Sequence, residues 1–126
     1  MNSGEETVLS LGREAHIVRV CDNLDAVTAP QLVESFQSMR TEGIQALILD
    51  LSGVSFMDSA GIGAIVSVFR ELRGAGVRLA VAGAKGQPLD LINIVGLDSV
   101  VEICSDLPAA ARVGEEHDES LRVVKG

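Results

Sequence analysis

The sequence predicts a single α/β domain: a mixed, mostly parallel sheet of about five strands, with an antiparallel strand at its N-terminal edge and about four helices. Three observations carry this. Near-continuous apolar runs, through Leu47, Ile48, Leu49 and Leu51 and again over residues 77–82, are the pattern of strands covered on both faces. From His16 onward such runs alternate with segments of helical apolar spacing, which calls for parallel neighbours joined by right-handed crossovers. The chain has 126 residues, 47% of them apolar but only 2% aromatic, with no Trp or Tyr, so one core of Leu, Ile, Val and Ala can form without metal or disulfides.

Residues 1–6 are polar and expected to be flexible, ahead of a domain over residues 7–113. A first strand is expected at residues 7–11, a turn at 12–15 and a second strand at 16–20; so short a connection implies an antiparallel hairpin. Thr28 and Gln31 have the spacing of a capping box, and Pro30 suits a first helical turn because its missing N–H would be unpaired there anyway. Leu32, Val33, Phe36 and Met39 then mark the buried face of a helix that stops at Gly43. A central strand over residues 46–51 is followed, beyond Ser59, by Ile62, Ile65, Val66, Phe69 and Leu72 on one face of a helix ending near Gly74 or Gly76. After the strand at 77–82, residues 83–88 read as a loop. Leu89, Ile92 and Val95 give a short helix closed by Gly96, and residues 100–103 give the last strand. Asp106 can cap a terminal helix over residues 109–113. Residues 114–126 read as an acidic, flexible tail in which 121–124 offer a short docked element.

Composition removes several classes of function. A net charge of −8 argues against nucleic-acid binding, which needs clustered Lys and Arg, although Glu115, Glu116, Asp118 and Glu119 place part of that excess in the tail. Aromatic platforms for bases or sugars are lacking. Neither a signal-type leader nor a run of about 18 apolar residues is present, so a cytoplasmic protein without a membrane span is expected. Cys21 and Cys104 stand alone and read as free thiols rather than a zinc site.

The same residues offer an enzymatic reading. Asp22, Asp25, Asp50 and Asp58 fall at or just after predicted strand ends, where parallel sheets place sites, and carboxylates so grouped can hold Mg²⁺. However, the only lysines are Lys85 and Lys125, no strand end offers the expected Lys after Val100, and an acidic doublet on a first strand is missing. The only histidines are His16, read as a surface residue, and His117 in the tail, and Ser59 is not in a G-x-S-x-G elbow. Gly61 and Gly63 lack the lysine of a phosphate loop, and the GAKG run at residues 83–86 is too short for one. No enzyme, cofactor or metal is expected.

The stretch LDLSGVSFMDSAGIG, from Leu49 to Gly63, takes the chain from a strand through a turn into a helix. Asp58 and Ser59 sit at that junction, where the first helical N–H groups are unpaired and the macrodipole is positive, so either can cap the helix. Asp58 can equally be a partner contact. Gly61 and Gly63 read as points of close approach, and Met57 and Ile62 as core residues or an exposed apolar patch.

This stretch closely resembles the signature of STAS-domain anti-sigma factor antagonists of bacteria, in which a strand ends in a hydrophobic-Met-Asp-Ser-(Ser/Thr/Ala)-Gly-(Leu/Ile)-Gly segment. The segment from Asp22 to Pro30 is similar to the family's second element, with Asp25 and Thr28-Ala29-Pro30 matching, while Asp22 and Asn23 stand where the family has Gly and Glu. The resemblance covers roughly residues 7–113 and implies a single STAS domain. It implies phosphorylation at Ser59 by an anti-sigma factor with serine kinase activity, whose ATP is bound by that partner, and a phosphatase that resets Ser59. It places the partner surface at Asp25, Asp58, Ser59, Ala60, Gly61 and Ile62. The unphosphorylated form would bind the anti-sigma factor and release its sigma factor, and phosphorylation would block that binding. The alternative is a non-phosphorylated STAS interaction subunit of a scaffold or transporter complex. Either would be a monomer or weak homodimer.

Overall fold

The computed structural model describes residues 4–10, 14–39, 43–106 and 124–125. Its elements run β1 (Gly4–Ser10), β2 (Glu14–Val20), α1 (Ala29–Gln37), β3 (Ile44–Asp50), α2 (Ser59–Gly74), β4 (Arg78–Ala82), α3 (Gly86–Val95), a 3-10 turn (Leu97–Ser99), β5 (Glu102–Cys104) and β6 (Val124–Lys125). The sheet has six strands in the order β5-β4-β3-β2-β1-β6. Strands β2, β3, β4 and β5 pair in parallel, whereas β1 runs antiparallel to both β2 and β6.

Side chains alternate across this sheet and sort into two clusters. Val18, Val20, Leu47, Leu49, Leu51, Leu79 and Val81 pack with Leu32 and Phe36 of α1, Ile65, Val68 and Leu72 of α2, and Ile92 of α3. Ile17, Ile48, Ala80 and Ala82 form a smaller cluster on the opposite face, to which the three helices contribute no residue. The apolar pattern of β3 is continuous because both of its faces are buried. Each fully buried Leu or Ile contributes about 1.5–3 kcal/mol to holding the layers together.

Several boundaries differ from those the sequence predicts. The first strand starts at Gly4 rather than residue 7, and β6 pairs with β1, so the antiparallel strand is not the edge and the sheet gains a sixth strand. Helix α3 begins at Gly86, inside the expected loop, because Pro88 in a first turn needs no donor. The last strand is displaced to Glu102–Cys104 because residues 97–99 wind into the 3-10 turn first. Helix α1 stops at Gln37, and the left-handed Gly43 (φ 81°) leads into β3. His16 is half-buried within β2 rather than on the surface. The described residues include three α-helices; the expected helix at residues 109–113 and most of the tail lie outside them. Among the described residues, no helix is long and apolar enough to cross a membrane.

Candidate functional site

Two loops leave the C-terminal ends of adjacent parallel strands, residues 21–28 after β2 and residues 51–58 after β3, and they are stitched together. Leu24 forms a parallel bridge with Met57. Its N–H donates to the Phe56 carbonyl (3.1 Å), and its carbonyl accepts from the Asp58 N–H (3.1 Å). The Asn23 side-chain oxygen accepts from the Phe56 N–H at 3.1 Å. Leu24 and Met57 are fully buried beneath this seam. Asn23 thus holds the two loops in register at a position where the resembling family carries Glu. No non-glycine residue described has a positive φ, so Asp22 turns the chain without the conformation that favours Gly.

A capping box is present, but three residues before the expected one. The Asp25 carboxylate accepts from the N–H groups of Val27 (2.9 Å) and Thr28 (3.1 Å), and the Thr28 hydroxyl oxygen accepts from the Asp25 N–H (3.0 Å). Thr28 also donates to the Asn23 carbonyl, so its hydroxyl is committed upstream and makes no cap with the helix below. The Thr28 and then the Val27 N–H hold the Asp25 carboxyl below its ordinary range. Asp25 is therefore a half-buried organiser of the loop before it is anything else.

At the second junction Asp58 is the cap. Its backbone is extended, and its carboxylate accepts from the Ala60 N–H at 2.9 Å, where the helix dipole favours negative charge. Ser59 is the first residue of α2, and its side chain is exposed. Gly61, in the same first turn of α2, is buried. A Cβ there would stand 2.5 Å from Met57 Cγ and 2.8 Å from the Leu24 carbonyl oxygen, so the missing side chain lets α2 rest on the seam. Gly63, by contrast, has open space around it. Of the two apolar candidates, Met57 is core and Ile62 is partly buried against it.

The four aspartates do not share a site: among the described residues no three His, Cys, Asp or Glu side chains gather as a metal would need. Asp22 caps the Asn23 N–H at 2.8 Å. Asp50 is only 2% exposed and accepts from the Ser52 N–H (2.9 Å) and from Arg19 Nε (3.1 Å). Burial pushes its carboxyl up, but the Ser52 N–H, the Ser52 side chain and Arg19 together outweigh burial and hold it below the ordinary range. A depressed folded-state pKa means that the stabilisation is complete above the unfolded value, about 3.9, and is lost as pH falls through the folded value. Asp50→Asn is expected to cost about 1–3 kcal/mol at pH 7, nearer the lower figure because 51% of the Arg19 side chain remains exposed. Urea unfolding at pH 7 and pH 3 checks this: the gap between wild type and variant should shrink on acidification, and an unchanged gap would remove Asp50 ionisation from the account.

Three features of the site have no sequence signal of their own. Gln87 reaches from the first turn of α3 to both backbone groups of Met57. Phe56 and Val27 are 45% and 73% exposed, an apolar pair on the two stitched loops. A lone Gln in a predicted loop, or one apolar residue in a polar one, does not stand out until the loops are brought together.

Comparison with known proteins places these loops in a family context. The family model described as the STAS domain matches residues 11–110. An anti-sigma-B factor antagonist from Listeria monocytogenes is 34% identical over 84 residues, 67% of this chain and 74% of that protein. Another anti-sigma-B factor antagonist, from Staphylococcus epidermidis, is 31% identical over 103 residues, 82% of this chain and 94% of that protein. The crystal structure of an anti-sigma factor antagonist from Mycobacterium paratuberculosis superposes with a TM-score of 0.76 at 25% identity, covering 90% of this chain and 95% of that one.

Proposed function

This chain belongs to the STAS domain family, and from that membership we propose that it is an anti-sigma factor antagonist that acts in the cytoplasm by binding rather than by catalysis. The unphosphorylated protein captures an anti-sigma factor that is also a serine kinase, and the sigma factor held by that partner is released. The partner, which carries the ATP, phosphorylates Ser59 and thereby ends the capture; a phosphatase restores it. Neither nucleic acid nor membrane takes part, and the protein works as a monomer or weak homodimer.

The observation that carries this reading is the placement of Ser59. It is the exposed first residue of α2, directly after the seam that joins two loops, and those loops also carry exposed Phe56 and Val27. A kinase can reach it there without unfolding anything. Asp25, Asp58, Ala60 and Ile62 form the surrounding contact surface, with Gly61 as the close-packed floor beneath. The relatives named as anti-sigma-B factor antagonists favour this over a subunit of a scaffold or transporter complex.

Titration calorimetry of the full chain with the anti-sigma factor of the same cell tests the proposal. Wild type and Ser59→Ala are expected to bind alike. Phe56→Ala should bind about tenfold or more weakly with an unchanged circular dichroism spectrum, since exposed aromatics at an interface centre commonly carry more than about 1 kcal/mol. Asp25→Ala should weaken binding and also lower the melting temperature, because the same carboxylate organises the loop. Absence of binding by the wild type would remove the antagonist role and leave the interaction-subunit alternative.

A further inference from the structure

We propose that Gln87 is a positioning residue for Ser59: its side-chain amide clamps the backbone of Met57 and so fixes the segment that presents the hydroxyl. The inference rests on the reading of Ser59 as the phosphoacceptor and extends it to a helix outside the family signature. The Met57 N–H donates to Gln87 Oε1 at 2.8 Å, and Gln87 Nε2 donates to the Met57 carbonyl at 2.7 Å. On the other side of the same residue, Leu24 takes the Phe56 carbonyl and the Asp58 N–H. Met57 is therefore held as a strand residue is held, with backbone as its neighbour on one side and a single amide side chain as its neighbour on the other.

Only Asp58 separates this clamped peptide from Ser59. Asp58 is extended, and its carboxylate is tied to the Ala60 N–H. The direction of α2 is set independently by Ile65, Val68 and Leu72 in the core. The hydroxyl position is then determined by two anchors, the α2 axis and the Met57 backbone, and Gln87 supplies one bond to each of the two peptide groups that flank the Met57 Cα. An amide is suited to this task because it presents one acceptor and one donor side by side, matching the N–H and C=O that one extended residue turns to the same side. In-line transfer to a hydroxyl is sensitive to displacements of about 1 Å, so loosening this backbone slows phosphorylation without removing the nucleophile. Both polar atoms of the Gln87 side chain, on the first turn of α3, are committed to Met57.

The chemistry of the clamp provides its own test. A protonated carboxylic acid keeps both the acceptor and the donor, whereas a carboxylate keeps only acceptors and faces the Met57 carbonyl. In the full-length protein, Gln87→Ala and Gln87→Glu should be compared with wild type by amide hydrogen exchange at pH 4.5 and 7.5, and by Ser59 phosphorylation kinetics with the serine kinase of the same cell at pH 7.5. Expected are a tenfold or greater loss of protection at the Met57 amide in Gln87→Ala at both pH values. In Gln87→Glu the loss should occur at pH 7.5 and be restored at pH 4.5. Both variants should show a kcat for phosphorylation lowered about tenfold, with KM and melting temperature little changed. Unchanged Met57 protection in the variants overturns the clamp. Lost protection with an unchanged kcat overturns positioning and leaves a structural contact. A wild type that takes up no phosphate overturns the reading of Ser59, and the exchange measurements then still decide whether the clamp exists.

Discussion

Gly61→Ala is expected to lower the stability of the protein by about 3 kcal/mol, at the upper end of what one inserted methyl group costs in a packed interior. The added Cβ meets Met57 Cγ at 2.5 Å, the Leu24 carbonyl oxygen at 2.8 Å and Leu24 Cβ at 2.9 Å. The Met57 side chain can shift, but the Leu24 carbonyl cannot: it accepts the Asp58 N–H that joins the two loops. Relief requires α2 to lift from the seam, which draws Ser59 and Asp58 with it. Gly63→Ala is the internal control. It adds the same atom on the same helix into open space, and should raise stability by up to about 1 kcal/mol through helix propensity alone. Urea midpoints of the two variants should therefore move in opposite directions; shifts of the same sign and size would mean that α2 does not rest on Leu24 and Met57.

Phosphorylation of Ser59 is expected to reduce affinity for the anti-sigma factor about 100-fold while leaving the melting temperature within a few degrees of the unmodified protein. The modification adds about −1.5 to −2 charges and three acceptor oxygens. Ser59 is exposed at the first residue of α2, so the phosphate stays in water and no packed side chain moves. The helix dipole favours the charge there, but the Asp58 carboxylate already occupies the Ala60 N–H and adds repulsion, so the two local effects oppose each other. If Ser59 lies within the proposed interface, the phosphate must be stripped of water against the facing protein, and that cost sets the expected loss. A 100-fold loss corresponds to only about 2.7 kcal/mol, which one misplaced buried charge supplies. Ser59→Asp carries less charge and fewer acceptors and should lose less. Equal affinity of the phosphorylated and unmodified forms, or a collapse of thermal stability on phosphorylation, would contradict an interface switch.

The sheet is legible in the sequence because its central apolar run is too short for a buried helix and is bounded by turn residues, which leaves a strand covered on both faces. The run through Leu47, Ile48 and Leu49 has no polar face to hide. The junction at Asp58 and Ser59 is legible because preferred cap residues stand between an apolar strand and a periodic helix, although the same pattern leaves open whether Asp58 also meets a partner. What local reading missed is non-local. Thr28 and Gln31 have capping-box spacing, yet the Thr28 hydroxyl serves Asp25 and Asn23 upstream, a competition that spacing cannot resolve. Asn23 and Gln87 are unremarkable polar residues in sequence, and their roles depend on partners 33 and 30 positions away. The sixth strand depends on pairing between opposite ends of the chain, Leu9 with Lys125, which no local pattern announces.

Ser59 is proposed as the residue on which partner binding turns. The intact mass of the full-length protein is to be measured after incubation with ATP and the serine kinase anti-sigma factor of the same cell, with Ser59→Ala alongside. One added phosphate on the wild type and none on Ser59→Ala is the expected result. A wild type that takes up no phosphate while still holding the partner, or a Ser59→Ala variant that takes up as much as the wild type, would contradict it.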